Sequence, residues 1–299
     1  MDKVVILGAS GFVGKNLVKF LSHFFNVIET TRNVSDSQKG ECLFFDLHHE
    51  SSWSSVSEVA PAYIINCIGY GVVREETGIE LTYEVNYFQT IRFYQYLAER
   101  KFQGLLIHIG SAFEYDLNTS FITEKSLTLT ASHYGISKLM ASEYLLHKGS
   151  LPNFIILRCF NMFGPFESES KLIPSLILSQ KKKEVLPLSS GTQRRDYMYI
   201  KDLSMFLFNI LSNRTQLYPN LMNVGSGVSR SVFEIAQILY DLLPYKSKQF
   251  WNWGALNQRS NEGTAFSNAS KMSMENGLNI SDLPVGLQET INYYWAHEL

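Results

Sequence analysis

A glycine-rich turn near the N-terminus has a spacing that suits the binding of phosphate. Gly8, Gly11 and Gly14 recur at every third position between an apolar run and a helical pattern. Gly8 permits a tight turn, Gly11 lets the backbone approach a phosphate, and Gly14 lets a helix pack closely on a strand. At the first strand-to-helix junction, this turn predicts a site for the pyrophosphate of a dinucleotide. The predicted contacts are Gly8, Ser10, Gly11, Phe12, Val13 and Gly14.

A second group of residues has types that suit proton transfer. Tyr134 and Lys138 are at i and i+4, so a helix places them on one face. An ammonium favours the phenolate and lowers the pKa of a nearby phenol, which makes a tyrosine a better proton donor at working pH. Ser111 follows an apolar run at 105–109, and parallel sheets bind ligands beyond the carboxyl ends of their strands.

These three residues predict a proton donor beside a nicotinamide ring. We expect Tyr134 to donate the proton, Ser111 to bond the substrate oxygen, and Lys138 to tune Tyr134 and hold the nicotinamide ribose. Two simpler interpretations stay open. Tyr134 and Lys138 can be an ordinary surface pair, and Ser111 can be a turn or cap hydroxyl.

The end of the second predicted strand bears on the choice of cofactor. An NAD site usually has Asp or Glu there, whereas this chain has Thr31 and Arg32. A hydroxyl and a guanidinium suit a 2′-phosphate, because arginine makes charge-assisted, bidentate bonds. We therefore expect NADP(H) rather than NAD(H), the alternative being that Arg32 is only a surface residue. Asp46 ends the third strand, where it either contacts the adenine or caps a turn.

The elements that must position these residues alternate between strand and helix patterns. The predicted strands are 4–7, 27–31, 43–46, 63–67, 105–109 and 154–157, and the predicted helices between them are 12–25, 80–98 and 132–146. This alternation predicts an α/β fold, a Rossmann-type doubly wound parallel sheet with helices on both faces.

Beyond Gly164 and Pro165, several prolines interrupt the pattern. Helices at 200–212, 231–243 and 285–297 remain, and the run 221–224 fits one more strand of the first sheet. We expect an NADP(H)-binding Rossmann domain of residues 1–165, to which 200–225 return. Residues 166–199 and 226–299 are expected to form a smaller, mixed α/β C-terminal substrate domain.

The composition sets limits on partners and compartment. With 18% charged residues and a net charge of −2, the chain has no excess of positive charge that would attract nucleic acid or an anionic membrane. Its three cysteines, Cys42, Cys67 and Cys159, have neither metal-ligand nor disulfide spacing, so no metal is expected. No signal-peptide pattern is visible, and no apolar stretch reaches the roughly 20 residues that span a bilayer. We expect a cytoplasmic protein that binds neither nucleic acid nor membrane.

Four further segments complete a pattern that resembles a known family. They are residues 85–90 (VNYFQT), 157–165 (LRCFNMFGP), 195–202 (RDYMYIKD) and 223–227 (NVGSG). Over nearly the whole chain, the motifs resemble the extended, nucleotide-sugar-modifying branch of the short-chain dehydrogenase/reductase superfamily. The resemblance implies cofactor contacts at Leu47, Cys67, Gly69, Asn86, Tyr134 and Lys138, and substrate contacts at Ser111, Ala112, Phe113, Asn161, Lys171, Leu172, Arg195 and Arg259. It also implies a homodimer formed through the helices 80–98 and 132–146.

Two arginines are the expected anchors of the substrate. A nearly neutral protein must bind a diphosphate through local cations, and Arg195 and Arg259 would grip it with charge-assisted bonds. The alternative is that each arginine pairs with a neighbouring acid, Asp196 or Glu262.

Two missing carboxylates bear on the reaction that the resemblance implies. Related 4,6-dehydratases carry an Asp-Glu pair after the catalytic Ser or Thr, whereas Ala112 and Phe113 stand here and neither transfers a proton. Elimination is therefore not expected. The segment 253–262 (WGALNQRSNE) is similar to a subgroup that reduces nucleotide-linked 4-keto-6-deoxyhexoses. We expect NADPH-dependent reduction of the C4 ketone of a CDP- or dTDP-linked 4-keto-6-deoxy sugar, for the synthesis of deoxysugars and O-antigen polysaccharide.

Two other functions stay open from the sequence. Epimerases of this branch work with Ser, Tyr and Lys alone, usually with tightly held NAD, so an NAD(P)-dependent nucleotide-sugar 4-epimerase is the first alternative. The second is a non-catalytic NADP(H)-sensing protein on the same fold. The complete set of Ser111, Tyr134 and Lys138 argues against it, since a sensor has no use for proton transfer.

Overall fold

The chain alternates short buried strands with amphipathic helices. The computed structural model describes residues 1–33, 35, 42–71, 78–130, 132–213, 215–245, 248–257 and 266–296. Its strands are β1 (Lys3–Leu7), β2 (Asn26–Thr31), β3 (Leu43–Phe44), β4 (Tyr63–Asn66), β5 (Leu105–Ser111), β6 (Phe121–Ile122), β7 (Phe154–Cys159), β8 (Asn161–Phe163), β9 (Leu186–Pro187), β10 (Arg194–Tyr199), β11 (Leu221–Val224), β12 (Ser229–Ser231), β13 (Trp251–Asn252) and β14 (Ser267–Asn268).

Seven of these strands form one sheet in the order β3-β2-β1-β4-β5-β7-β11, and every neighbouring pair is parallel. The chain winds outward in both directions from β1, since β2 lies on one side of it and β4 on the other. Ligands of such sheets bind beyond the carboxyl ends of the strands at this switch point. The predicted Rossmann-type fold is confirmed, and so is the prediction that 221–224 adds a strand to the sheet.

Both faces of the sheet are covered, which explains the continuous apolar runs of its strands. In β1, Val4 and Ile6 pack into one apolar core, whereas Val5 and Leu7 pack into the other. All four side chains are fully buried. A strand with only one buried face would instead alternate apolar and polar residues.

The six predicted helical segments are present with bounds shifted by a few residues, and the structure adds Trp53–Glu58, Leu172–Lys182 and Met272–Glu275 to the helices predicted above. The helices of the structure are Phe12–Leu21, Trp53–Glu58, Ile79–Tyr83, Thr90–Glu99, His133–His147, Leu172–Lys182, Ile200–Ser212, Val232–Leu242, Met272–Glu275 and Leu283–Ala296. The predicted helix 80–98 is interrupted by a π-helical segment, Glu84–Gln89. Asn86 lies in this wider turn. π-helical turns are often found at functional sites.

The C-terminal part adds small sheets beside the large one. One has three strands in the order β12-β10-β8, and the pairs β13-β9 and β14-β6 form two others. Their residues share a core with the large sheet, since Ile235 and Ile291 belong to the same apolar cluster as Val4. In the described part of the chain, no helix is long and apolar enough to cross a bilayer.

Two strand ends extend beyond their predicted limits. β5 continues to Ser111 and β7 to Cys159, because Gly110 pairs with Arg158 and Ser111 with Cys159. The apolar runs that define a strand in sequence stop earlier, at 109 and 157. The extension places Ser111 at the carboxyl edge of the sheet, opposite the end of the neighbouring strand.

Candidate active site

The glycine turn forms a tight junction between β1 and the helix Phe12–Leu21. Gly8 has φ of +75°, a conformation that favours glycine, and its carbonyl accepts from the amide of Gly11 at 3.0 Å. A Cβ on Gly14 would lie 2.2 Å from the Gly8 oxygen, so only glycine lets the helix approach this closely. Gly11 is the helix N-cap and makes no side-chain cap bond. The first amides of the helix therefore face outward as donors for an anion.

This cradle fits the pyrophosphate of a dinucleotide, and the end of β2 lies where its adenosine ribose would be held. Arg32 is exposed there, and the hydroxyl of Thr31 accepts from the amide of Asn33 at 3.0 Å. Ser10 is exposed on the turn, whereas Phe12 and Val13 are partly buried in the first helical turn. Contact of these side chains with a cofactor stays a prediction.

Asp46 caps a turn. Its carboxylate accepts from the amide of His48 at 2.9 Å and contacts the ring of His49 at 3.1 Å. Burial raises the pKa of Asp46, but the bond from His48 and the two histidines more than offset this, and the net pKa lies below its ordinary value. The turn-cap role left open by the sequence is thus present, and contact with adenine stays a prediction. Leu47 is buried behind the turn, at 4% exposure.

Asn86 braces the loop that follows β4. Its amide oxygen accepts from the Tyr70 amide at 2.8 Å, and its amide nitrogen donates to the Tyr70 carbonyl and to Ser137, each at 2.9 Å. The bonds tie Tyr70, which follows Cys67 and Gly69 in this loop, to the helix that carries Tyr134. Contact of Cys67, Gly69 and Asn86 with a cofactor stays a prediction.

Ser111 ends β5 and begins the turn Ala112–Glu114. Its hydroxyl accepts from the Phe113 amide at 3.2 Å, while its own amide donates to the Glu114 carboxylate at 2.8 Å, which together form a capping box. The cap role left open by the sequence is present. It does not exclude the predicted one, because a hydroxyl that accepts one bond still carries a proton to donate.

Tyr134 and Lys138 lie on the helix His133–His147, which Ser132 caps by accepting from Gly135 at 3.0 Å. Gly135 brings this helix against the Ser111 turn, since a Cβ there would lie 2.2 Å from the Phe113 carbonyl. The rings of Phe113 and Tyr134 consequently meet edge to face, with centroids 6.2 Å apart. The sequence analysis missed Gly135, although it stands inside the Tyr134–Lys138 motif.

Lys138 is buried at 2% exposure beneath the carboxyl edge of the sheet. Burial lowers the pKa of its ammonium, while the carboxylate of Glu114 and the thiols of Cys67 and Cys159 oppose that shift. Burial in turn raises the pKa of Cys159 to about 12, so this thiol is neutral. Lys138 thus lies among the ends of β4, β5 and β7, as a residue that acts on both Tyr134 and a bound ribose must.

The predicted substrate residues that the structure describes lie on the Ser111 turn, β8, β10 and the start of the helix Leu172–Lys182. Arg195 is buried at 5% exposure, donates to the Arg194 carbonyl at 2.7 Å and lies over the ring of Phe266, 4.9 Å from its centroid. Asp196 accepts from the amides of three residues and from one hydroxyl. The donors are Ser226, Gly227 and Asn268.

Asn161 lies on β8, and its buried amide oxygen has no hydrogen-bond partner in the part of the chain that the structure describes. A buried, unsatisfied acceptor at a site edge is suited to a ligand donor. Ala112 is 1% exposed and packs in a small apolar cluster, so Phe113 is the more accessible of the pair. Lys171 and Leu172 begin the helix Leu172–Lys182, and Arg259 lies outside the described residues.

A buried ion pair that the sequence analysis missed stands behind Ser111. Glu114 accepts from Arg158 Nε at 2.6 Å, and the two side chains are 0% and 2% exposed. Part of the signal was in the sequence, since Arg158 belongs to the motif 157–165 and Glu114 follows Phe113 directly. Among the described residues, no group of three or more His, Cys, Asp or Glu side chains has the geometry of a metal site.

The fold and the glycine turn define a dinucleotide-binding protein with a Tyr-Lys-Ser site at the carboxyl edge of its sheet. The profile of the NAD dependent epimerase/dehydratase family matches residues 4–225, and the chain belongs to that family. The predicted resemblance to the extended, nucleotide-sugar-modifying branch is confirmed.

Curated relatives are distant but extend over most of the chain. CDP-abequose synthase of Salmonella typhimurium is 25% identical and the match covers 87% of both chains. GDP-L-colitose synthase of Yersinia pseudotuberculosis is 24% identical, over 82% of this chain and 83% of that one.

Two solved structures show the same fold. MoeE5 in complex with UDP-glucose and NAD has a TM-score of 0.84 and 22% identity, with 98% of each chain covered. RMD from Pseudomonas aeruginosa complexed with NADPH has a TM-score of 0.82 and 19% identity, with 99% of each chain covered. The fold is thus found with either nicotinamide cofactor.

Proposed function

We propose that this protein reduces the C4 ketone of a nucleoside-diphosphate-4-keto-6-deoxy sugar with NADPH. One observation carries the proposal: the Tyr134 helix packs against the Ser111 turn, and the turn has Ala112 and Phe113 where an elimination enzyme carries acids. A site with one proton donor and no second acid-base pair suits addition of hydrogen to a ketone, not removal of water.

Each residue of the site has a defined task in this reaction. The bound cofactor supplies hydride for the carbonyl carbon. Ser111 donates a hydrogen bond to the carbonyl oxygen. As the carbonyl carbon gains hydride, the C–O π bond breaks and negative charge develops on the oxygen, to which Tyr134 transfers its phenolic proton. The buried charge of Lys138 stabilises the phenolate that remains. The net change is one C–H and one O–H bond gained by the sugar.

The sugar is proposed to lie between Arg195 and Tyr134, because the first holds the diphosphate and the second reaches the ketone. The partly exposed ring of Phe113 lies along this path, against both Tyr134 and Phe266. An aromatic face favours a methyl group over a hydroxymethyl or a carboxylate, because burying a polar group without a partner costs free energy. This contact supports a 6-deoxy sugar.

The test of this proposal is a panel of CDP-, dTDP- and GDP-linked 4-keto-6-deoxy sugars, each mixed with the protein and either NADPH or NADH. We expect one nucleotide series to consume NADPH in proportion to the sugar reduced. If every member of the panel leaves the nicotinamide absorbance unchanged, the proposal is wrong.

We propose NADP(H) as the cofactor in preference to NAD(H), because Arg32 lies at the end of β2, where a 2′-phosphate would be bound. Arg32→Asp is expected to weaken NADPH about ten- to a hundredfold, because a charge-assisted bond to the 2′-phosphate contributes about 1.5–3 kcal/mol. Binding of NADH should stay the same or improve, since a carboxylate there suits the ribose 2′-hydroxyl. Fluorescence titration of both cofactors measures the ratio. Arg100→Asp is the matched control, because Arg100 packs on Tyr96 on another helix. Unchanged NADPH affinity in Arg32→Asp would contradict the assignment.

A nucleotide-sugar 4-epimerase is the second candidate, because the family and several matched structures are epimerases and the Ser-Tyr-Lys set serves both reactions. An epimerase would be purified with cofactor held tightly and would interconvert two sugars without net consumption of NADPH. Mass analysis of the cofactor released on denaturation separates the two.

A homodimer in the cytoplasm is part of the proposal. Leu81 and Phe88 lie on the segment predicted to form the dimer and are 40% and 51% exposed. Exposed apolar side chains on one helical segment are suited to contact with a second copy. Light scattering of the purified protein should give twice the mass of the chain.

A further inference from the structure

Glu114 holds the main chain of Ser111 from inside the protein. One carboxylate oxygen accepts from the Ser111 amide at 2.8 Å, and the other accepts from Arg158 Nε at 2.6 Å. The Glu114 side chain is 0% exposed. It therefore bonds the main chain of Ser111, whose hydroxyl is proposed to bind the ketone oxygen, without itself reaching solvent.

The pair spans the two strands that end at the site. Arg158 on β7 pairs in register with Gly110 on β5, so the ion pair lies near the carboxyl ends of both strands. A Cβ on Gly110 would lie 2.7 Å from a Glu114 oxygen, which leaves room only for glycine beneath the carboxylate. The guanidinium also stacks on Tyr115, with its carbon 4.6 Å from the ring centroid. The carboxylate is thus fixed on several sides.

The same pair reaches the helix that carries Tyr134 and Lys138. Arg158 Nη2 lies 3.8 Å from a carboxylate oxygen of Glu143, one turn beyond Lys138 on that helix. The buried guanidinium thus lies between strands β5 and β7 and this helix, with a hydrogen bond to Glu114 and a longer ion pair to Glu143. A shift of the Glu114 carboxylate would move the Ser111 chain relative to Tyr134.

We propose that Glu114 is a positioning residue, which with Arg158 forms a buried clamp that orients the Ser111 hydroxyl toward the ketone oxygen and presents a negative charge to Lys138. The proposal rests on the roles proposed above for Ser111 and Lys138. A buried ion pair is weak support for stability, because its desolvation offsets its attraction and apolar pairs often replace it without loss. Orientation of the reacting groups gives the pair a purpose that packing alone does not.

The charged groups around Lys138 support the electrostatic part. The groups that act on its ammonium are Glu114, Cys67 and Cys159. Burial raises the pKa of both thiols, so they are neutral, and Glu114 is the one carboxyl group of this set. On the opposite side, burial together with Lys138 and Arg158 lowers the pKa of His108 well below its ordinary value, so His108 is neutral as well.

Two variants test the clamp. Glu114→Gln keeps an oxygen that can accept from the Ser111 amide but removes the charge. Because it leaves the Arg158 charge buried and unpaired, it can fail to fold. The double variant Glu114→Gln/Arg158→Met removes both charges and avoids that outcome. Glu289→Gln is the control. Like Glu114, Glu289 accepts from one cationic and one neutral donor, here Lys201 and Tyr199, but it lies on the C-terminal helix.

In folded variants, we expect kcat to fall about ten- to a hundredfold with KM little changed, because a small misplacement of a reacting group has an effect of that size. The alkaline limb of the kcat profile should move to lower pH, since Glu114 raises the pKa of Lys138 and its removal lets the ammonium lose its proton earlier. If Glu114 had only a structural role, its replacement would neither lower kcat selectively relative to KM nor shift the pH profile. Wild-type kcat and pH profile in the double variant would overturn the proposal.

A second readout keeps the clamp separate from the proposed reaction. Nicotinamide absorbance and the nucleotide-sugar products are both followed, so an epimerase, which consumes no net cofactor, would be detected by its products. If the wild-type protein reduces no 4-keto sugar, the proposed function fails, and hydrogen–deuterium exchange of residues 105–115 still tests the clamp. We expect exchange at least about tenfold faster in the folded variants than in Glu289→Gln. Equal exchange would overturn the clamp on its own.

Discussion

Tyr134→Phe is expected to reduce turnover by about a hundredfold or more, with the fold and cofactor binding preserved. The substitution removes only the phenolic oxygen, and the ring keeps its edge-to-face contact with Phe113. Without a proton donor beside the carbonyl oxygen, the developing alkoxide must take its proton from water. The measurement is kcat for NADPH oxidation at saturating 4-keto sugar.

Tyr144→Phe is the matched control for this variant. It removes the same atom from the same helix, ten residues further on and so about 15 Å along the helix axis. Tyr144→Phe should keep wild-type kcat. Near-normal turnover in Tyr134→Phe would mean that another group donates the proton, and the assignment of the site would be lost.

Gly14→Ala is expected to have the second large effect, on cofactor binding and on stability together. A Cβ at this position would lie 2.2 Å from the Gly8 oxygen and 2.7 Å from the Ala9 Cα, and both are main-chain atoms that cannot rotate away. Overpacking of this kind costs about 1–3 kcal/mol, and here the shift occurs in the turn that holds the pyrophosphate. We expect lower thermal stability and at least about tenfold weaker NADPH binding.

Gly78→Ala provides the comparison, because a Cβ there would meet its nearest neighbours at 3.4 and 3.5 Å, which is ordinary contact. Its NADPH titration should match that of the wild type, and its melting temperature should fall less than that of Gly14→Ala, since only a glycine N-cap is lost. If Gly14→Ala also binds NADPH as the wild type does, the turn is not the pyrophosphate site.

The parallel sheet could be predicted from the sequence because its central strands are buried on both faces. Runs such as Val4–Leu7 are apolar throughout, and the helical patterns between them require crossovers that make the sheet parallel. The run 221–224 was recognised by the same signal, even though it lies beyond the change in texture at Gly164 and Pro165.

The ends of β5 and β7 could not be predicted, because Gly110, Ser111 and Arg158 are poor strand signals by themselves. They extend the strands because their main chains pair with each other across the sheet. A cross-strand register is a property of two distant segments, and periodicity within one segment does not contain it. The π-helical turn at Asn86 has a similar origin, in bonds to Tyr70 and Ser137.

The candidate site was predicted from residue type and spacing. Gly14 was predicted from the glycine spacing and Tyr134 and Lys138 from their separation by one helical turn, and their roles stay predictions. Glu114 and Gly135 were missed for the opposite reason. Each of them acts on a neighbouring turn through a contact that only the packed structure reveals, a 2.8 Å bond to the Ser111 amide in one case.

Transfer of a label from the cofactor to the sugar tests the central claim most directly. The protein is mixed with NADPH that carries deuterium at the transferred position and with the 4-keto-6-deoxy sugar found active in the panel, and the product is examined by mass spectrometry and NMR. We predict one deuterium per sugar, bonded to C4, with one NADPH oxidised for each. Product without deuterium, or interconversion of two sugars with the cofactor unchanged, would contradict a reductase.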